Sequence, residues 1–475
     1  MMRMKRWWKV TGWSAAGFVL LFVVTVGPWP TVSGDFTDAD YYRQALHGID
    51  QSLSRHRKSA APGRLRAGWG QAKLQPPPGT PLAGYGGRNG KPSQGVHDDL
   101  LAQAVAVSDG EDTAVLVGTD LLVVPPDLAE AVRQGLARET PLQADDILFS
   151  ASHTHSGPGG LAPGVIAKLF FGSYDPRVPA ALSQAVLEAA RQAYRDLKPA
   201  RMALAEARAA DLIRNRSRQG PVDDEISVMM LEQEGGRRCV VFSFSAHPTV
   251  LGDENMLFSA DYPGYARRFL EQKTGAAAVF LGGAVGSMSC RIPAGEAGRK
   301  EEKKDPAQDP FERCRAMGEA VGARVLDRLA SPAWAGNAEV LSAAAAFDLP
   351  PLQWRPLSPS WRASNILTRA LGLPSRGWIS MVRVGSALFL SIPGDLSGEI
   401  SADWKRRAAA GGYDLWCSSF SGEYAGYISP DKYYADWADA KGGAAYETAI
   451  MSWLGPRQEA FFTALQQHMF RALAE

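Results

Sequence analysis

The stretch Asp146 to Gly160, DILFSASHTHSGPGG, runs from an apolar segment into two histidines and then into a turn of glycine and proline. A short apolar run bounded by turn formers reads as a buried strand. When such a strand ends on polar side chains, it presents them at a sheet edge, where open α/β sheets hold their ligands. The same figure recurs at Thr113 to Gly118, which ends at Asp120, and at Cys239 to Ser245, which ends at His247. Helical runs lie between. Val178, Leu182, Val186 and Tyr194 recur at helical spacing before Lys198-Pro199 stops them, and Cys314, Met317, Val321, Val325 and Leu329 form a second stripe. This alternation predicts an α/β fold with mixed β-sheets and flanking helices.

Composition narrows the function classes. The 475 residues carry 51 Lys+Arg against 50 Asp+Glu and are 45% apolar, which excludes a disordered or collagen-like chain. With basic and acidic residues interspersed and a net charge of +1, nothing favours a nucleic-acid partner. Four cysteines without CxxC spacing exclude a disulfide scaffold and a cysteine zinc site; Cys290 and Cys314 are either bridged or free thiols.

The N-terminus, MMRMKRWWK, precedes an uncharged apolar stretch from Val10 to about Val32, which reads as an export signal. The positive-inside rule then puts the rest of the chain outside the cytoplasm. It is membrane-anchored if the stretch is retained, and secreted or periplasmic if the stretch is cleaved. Three parts follow: residues 1–34 as signal peptide or membrane anchor, 35–63 as a short, mostly polar helical spacer, and 64–475 as one large folded unit. Lys300 to Pro310 reads as a solvated loop. Residues 352–378, with Trp354, Trp361 and Trp378 among Arg355, Arg362, Arg369 and Arg376, read either as core packing or as a membrane-facing rim.

If the extended geometry continues past the strand, His153 and His155 point to the same side, toward one metal or one substrate. Neutral imidazole suits zinc. Further candidates follow other apolar runs: His247 in AHPT, Asp395 in IPGD, and Tyr427 in EYAGYI. Asp395 would either bind a metal or cap a helix. Phe280 to Ser289, FLGGAVGSMS, is a strand and a small-residue turn, open enough to admit a carbonyl or present a serine, but it is not a G-x-S-x-G elbow.

In chain order the sequence shows GYGGR (84–88), GVHDDLLAQA (95–104), SHTHSGPGG, NRS (215–217), AHPT, SADYPGYA (259–266), GAVGSMS, IPGD and EYAGY. This ordered set resembles the neutral/alkaline non-lysosomal ceramidase family, from about Leu65 to the C-terminus. The resemblance implies a single catalytic domain of neutral ceramidase type that binds Zn2+ through His153, His247, Asp395 and Tyr427. It also implies that His155 contacts the reacting amide, that Arg216 and Tyr446 bind polar groups of the substrate, and that Ser289, or else Ser287, is the serine of the family's turn. The implied reaction is zinc-dependent hydrolysis of a ceramide-like N-acyl lipid amide at a membrane surface. Val165, Ile166, Leu169, Phe170 and Phe171 are candidates for its apolar pocket.

The chain departs from the family pattern in several places. Asp395 replaces a glutamate, Ser287 and Cys290 replace an aspartate and a proline, and Arg218 follows NRS where the family has proline. About seven extra residues separate Tyr427 from Tyr446, and no C-terminal immunoglobulin-like domain is expected. These differences leave open a zinc hydrolase of another N-acyl or ester substrate, or a membrane-tethered lipid-binding protein with a degenerate site.

Overall fold

Alternation along single strands sets the layers. In strand Thr113–Thr119, Val115 and Val117 pack into one apolar cluster and Ala114 and Leu116 into another, so both faces of the sheet are covered. The computed structural model describes residues 16–32, 34–56, 62–293, 309–358, 360–434 and 446–474. The N-terminal basic cluster and most of the charged loop expected over Lys300 to Pro310 lie outside the described residues.

The larger sheet has eight strands, in the order Ala277–Gly282, Arg238–Phe244, Glu225–Gln233, Lys198–Arg208, Arg66–Lys73, Leu101–Ser108, Thr113–Thr119, Ile147–Ala151. The smaller has four, in the order Val340–Asp348, Arg376–Val384, Ala387–Ile392, Asp414–Ser419. They face each other across a core that includes Leu116, Met229, Val241, Val382, Phe389 and Trp416. Helices Pro126–Ala137 and Arg177–Arg195 cover one part of the larger sheet's outer face, and Asp261–Thr274 and Pro310–Leu326 cover another. Helices Asp40–Leu53, Gly398–Ala410 and Gln458–Ala474 cover the smaller sheet. The result is the expected α/β fold with mixed sheets and flanking helices, in four layers.

Three parallel pairs bring strand ends to one edge: Ile147–Ala151 beside Thr113–Thr119, Arg238–Phe244 beside Ala277–Gly282, and Ala387–Ile392 beside Asp414–Ser419. Side chains tie these ends across the sheets. Ser391 Oγ donates to the Phe149 carbonyl at 2.6 Å, and Ser419 Oγ donates to the Gly283 carbonyl at 3.2 Å. A Cβ at Gly282 would lie 2.0 Å from the Ala151 carbonyl oxygen, so only glycine lets these two strand ends approach so closely.

Both helical stripes read from the sequence are helices, Arg177–Arg195 and Pro310–Leu326. The stretch expected as a polar spacer contains helix Asp40–Leu53, whose Ala45 and Ile49 are buried against the smaller sheet. Residues 352–378 divide between the two readings. Leu352 and Leu373 are buried, whereas Leu357, Trp361 and Ile366 are exposed. All four cysteines are free thiols, so Cys290 and Cys314 are not bridged. Residues 16–25 are helical and largely exposed. Among the described residues no helix is long and apolar enough to cross a membrane, and the stretch from Val10 begins outside them.

Candidate metal centre and cavity

The strand before the histidines ends at Ala151, and His153 has φ +66°. The two histidines therefore do not share a face through strand pleating, as the sequence led us to expect. A left-handed residue turns the chain and brings their rings to 5.0 Å, edge to face. His153 stacks on Phe420, with centroids 4.5 Å apart, and its Nδ1–H donates to the Leu122 carbonyl at 2.6 Å. His247 follows strand Arg238–Phe244, and its Nδ1–H donates to the Val285 carbonyl at 3.1 Å. A ring nitrogen against a carbonyl carries the proton, so both Nε2 atoms keep a free lone pair. His153, His155 and His247 have ligating atoms within 4.8 Å of one another.

Asp395 and Tyr427 lie side by side in a short parallel bridge. Tyr424 donates to Asp395 Oδ2 at 2.6 Å, while Oδ1 is buried without a hydrogen-bond partner and sits 3.3 Å from His153 Nε2. Tyr427 OH accepts from Arg216 at 2.9 Å. Arg216 also donates to the Gly286 carbonyl at 2.7 Å and to Glu447 at 2.9 Å.

The electrostatics point the same way. Burial lowers the His153 pKa to about 3 and holds His155 and His247 well below the usual imidazole value, with Arg216 adding to the effect at all three. Burial also raises Asp395 to about 7, against the opposing pull of the Tyr424 hydrogen bond and Arg216. Neutral imidazoles facing an unbonded buried carboxylate oxygen form a pocket that a positive charge would stabilise. This donor set fits a divalent cation that accepts nitrogen and oxygen ligands, of which zinc is the clearest case. His153, His247, Asp395 and Tyr427 would hold it.

His155 differs from the other two histidines. Its Nδ1 lies against Gly84 without a hydrogen bond of normal geometry, and its Nε2 is 2.9 Å from His247 Nε2. Gly84 has φ +98°, and a Cβ there would lie 2.5 Å from His155 Nδ1, so glycine is required for the ring to sit here. Arg88 is buried behind, donating to the carbonyls of Ala83 and His155 and so tying the GYGGR loop to the histidine loop.

A cavity of roughly 330 Å³ opens above these groups. His153, His155, Asp395, Tyr427 and Tyr446 form its polar end; its apolar wall includes Leu161, Ile166, Phe170, Phe171 and Trp453. Three of the five apolar candidates thus line the wall, whereas Val165 and Leu169 are exposed. No serine, threonine, cysteine or lysine is among the described residues that line it. Ser289 lies in strand Met288–Cys290 and is not on the wall. Ser287 is buried with its Oγ 2.9 Å from that of Ser397. Arg216 is also off the wall, its bonds going to protein atoms.

Sequence reasoning named Glu423 and Tyr424 only as members of the EYAGYI candidate, without a role, and missed Glu447. Each lay beside a residue it had singled out, Tyr424 and Glu423 within EYAGY and Glu447 next to Tyr446. Burial pushes Glu423, on the cavity wall, up to about 7, opposed by Arg133 and Arg376.

Residues 67–289 match the family model described as neutral/alkaline non-lysosomal ceramidase, N-terminal. The chain is 25% identical over 221 residues to a neutral ceramidase of Mycobacterium tuberculosis, covering 42% of this chain and 34% of that protein. It is 27% identical over 216 residues to neutral ceramidase A of Dictyostelium discoideum, covering 41% and 30%. The aligned region thus spans about a third of the length of these relatives. The fold matches the crystal structure of neutral ceramidase from Pseudomonas aeruginosa with a TM-score of 0.72 at 20% identity, over 87% of this chain and 75% of that one. The family model contains His153, His155, Arg216 and His247; Asp395, Tyr427 and Tyr446 lie beyond it, in the part of the chain that the fold brings to the same site. Over residues 67–289 the chain is thus similar in sequence to the neutral/alkaline non-lysosomal ceramidase family, and it shares the fold of the Pseudomonas aeruginosa enzyme.

Proposed function

We propose that the chain is a zinc-dependent hydrolase that cleaves the amide bond of a ceramide-like N-acyl lipid. One observation carries this reading: neutral imidazoles and an unbonded carboxylate oxygen converge at the polar end of an otherwise apolar cavity. A bound divalent cation would supply Lewis acidity, polarising the carbonyl and acidifying water. The apolar wall holds the acyl chain, and its shape carries the amide to the polar end.

With no hydroxyl, thiol or amine nucleophile on the described wall other than tyrosines, the attacking oxygen comes from water. The water oxygen bonds to the acyl carbon, the C–N bond breaks, and the products are a fatty acid and an amine. His155 takes the proton from water and passes it to the leaving nitrogen, a role suited to a neutral imidazole on the cavity wall. Tyr446, kept protonated by burial, donates to the carbonyl oxygen as negative charge grows there. Arg216 acts through Tyr427 as a positioning residue, itself held by Glu447. The basic cluster ahead of the uncharged stretch from Val10 supports export, with the folded unit outside the cytoplasm.

The test is metal analysis of the purified protein joined to hydrolysis of a panel of N-acyl amines that includes ceramide. We expect about one zinc per chain, with long-chain N-acyl lipids as the best substrates. Protein without zinc after expression in ample metal, or with turnover confined to esters, would overturn the reading.

A further inference from the structure

We infer that the mouth of the cavity docks on an anionic lipid bilayer, through a patch formed by helix Val165–Phe171, Leu357 with residues 360–370, and the helical stretch 16–25. The inference rests on the lipid-substrate reading for its purpose, but its geometry stands apart from it. Pro163 and Gly372 both line the cavity and are exposed, so they mark its mouth. The three segments meet there. The Ile166 amide donates to the Leu371 carbonyl at 3.3 Å, and Gly164 packs on Gly372. Trp361–Arg362 pairs in a short antiparallel bridge with Trp29–Pro30. Ser364 donates from its amide to the Val26 carbonyl and from its hydroxyl to Thr25. The end of the helical stretch is thereby fixed beside the mouth.

What these segments leave to solvent is unusual for a soluble surface. Leu357 is 90% exposed, Leu169 57%, Val165 55%, Trp361 58% and Ile366 54%. Phe18 to Phe22 of the helical stretch are likewise exposed. Large apolar chains clustered at the rim of an apolar cavity mark an interaction site. Charge selects the partner. Arg369 and Arg376 are exposed in a stretch, 360–378, that holds no acid, helix Val165–Phe171 adds exposed Lys168, and residues 16–32 are uncharged. An apolar rim with basic side chains and a tryptophan fits the headgroup layer of an anionic membrane. In this orientation a lipid slides from the bilayer into the cavity without exposing its chains to water.

An environment-sensitive fluorophore attached at Leu357→Cys or at Ile366→Cys in the full chain tests this. The control site is Glu234→Cys, beside the turn joining strands Glu225–Gln233 and Arg238–Phe244, at the end of the larger sheet away from the histidines. With phosphatidylcholine/phosphatidylglycerol vesicles carrying a quencher in their acyl region, both rim probes should shift to the blue and be quenched, while the probe at 234 stays in water. Pure phosphatidylcholine should give a weaker response. Rim probes that stay in water on vesicle-bound protein would overturn the inference, as would equal responses at all three sites. Turnover does not enter, so a protein that docks but hydrolyses nothing refutes the proposed reaction and leaves the docking intact. As an independent check, Leu357→Glu with Ile366→Glu should lower hydrolysis of vesicle-embedded substrate and spare a short-chain soluble one; equal loss on both would also overturn it.

Discussion

His153 and His155 are two residues apart and differ in what holds them. The Nδ1 of His153 is fixed by a backbone carbonyl, as ligating histidines usually are, whereas the Nδ1 of His155 is not. His153→Ala should therefore lose both metal and activity. His155→Ala should keep its metal and fold but lose roughly 10² to 10⁴ in rate, the scale of acid–base assistance. Metal content and kcat measured on both variants decide between the roles; equal metal loss would make both histidines ligands. Glu423 offers a pH test. Its pKa rises from the usual 4.5 to about 7 through burial, so the fold favours the protonated form. Its contribution to stability is full below the unfolded value and is lost as pH climbs through 7. At about 1.4 kcal/mol for each pH unit between the two values, the loss is at most about 3 kcal/mol. Glu423→Gln should match the wild type near pH 4 and be the more stable at pH 8. Thermal melts across that range check it, and parallel curves would refute it.

At the scale of elements, strands were easier to read than the turns that follow them. The apolar runs at 113–118 and 239–245 announce themselves through composition, and both are strands. The left-handed backbone at His153 leaves no such mark, because glycine would be the usual signal and histidine stands there instead. The helix over Asp40–Leu53 was legible as a helical spacer, but its docking on the smaller sheet was not. Its buried stripe is Ala45, Ile49 and Ser52, too small and mixed to outweigh the polar remainder. Gly48 lets the helix sit close to the smaller sheet, where an added Cβ would be 3.0 Å from that of Ala345. Ile49→Ala should destabilise the protein by about 2–5 kcal/mol, the usual range for opening a fully buried aliphatic site. Urea unfolding measures this. A change within about 0.5 kcal/mol, typical of surface substitutions, would mean that the segment is a detachable spacer after all.

At the scale of the whole molecule, the sequence motifs named the residues that meet at the site, because each ends or follows a strand at one edge of the sheets. Motifs could not show where donors point. Arg216, read as a substrate contact, turns inward to Glu447, Gly286 and Tyr427, and neither serine of the small-residue turn lines the cavity: Ser287 pairs with Ser397, and Ser289 lies in strand Met288–Cys290. Such orientations depend on register and packing, which apolar pattern alone does not encode. If the buried ligand set is completed by a cation, binding should stabilise the fold as a whole. A metal at 100 times its Kd adds about 2.7 kcal/mol. Chelation should therefore lower Tm and added zinc should restore it, while His153→Ala responds to neither; an unchanged Tm on chelation would show that the site contributes nothing to the fold.

Of the ligand candidates, His153 and His247 follow strands of the larger sheet, whereas Asp395 and Tyr427 pair with each other in a separate two-stranded bridge. This spread sets an order in time. A chain emerging from its N-terminus can form the larger sheet well before Tyr427 has been made, and only the docking of the C-terminal half brings Asp395 and Tyr427 to the two histidines. On the proposed ligand set, metal capture would be a late event, governed by long-range contacts that are slow to close. The ion would then seal a finished architecture, unlike the small zinc modules whose folding it drives.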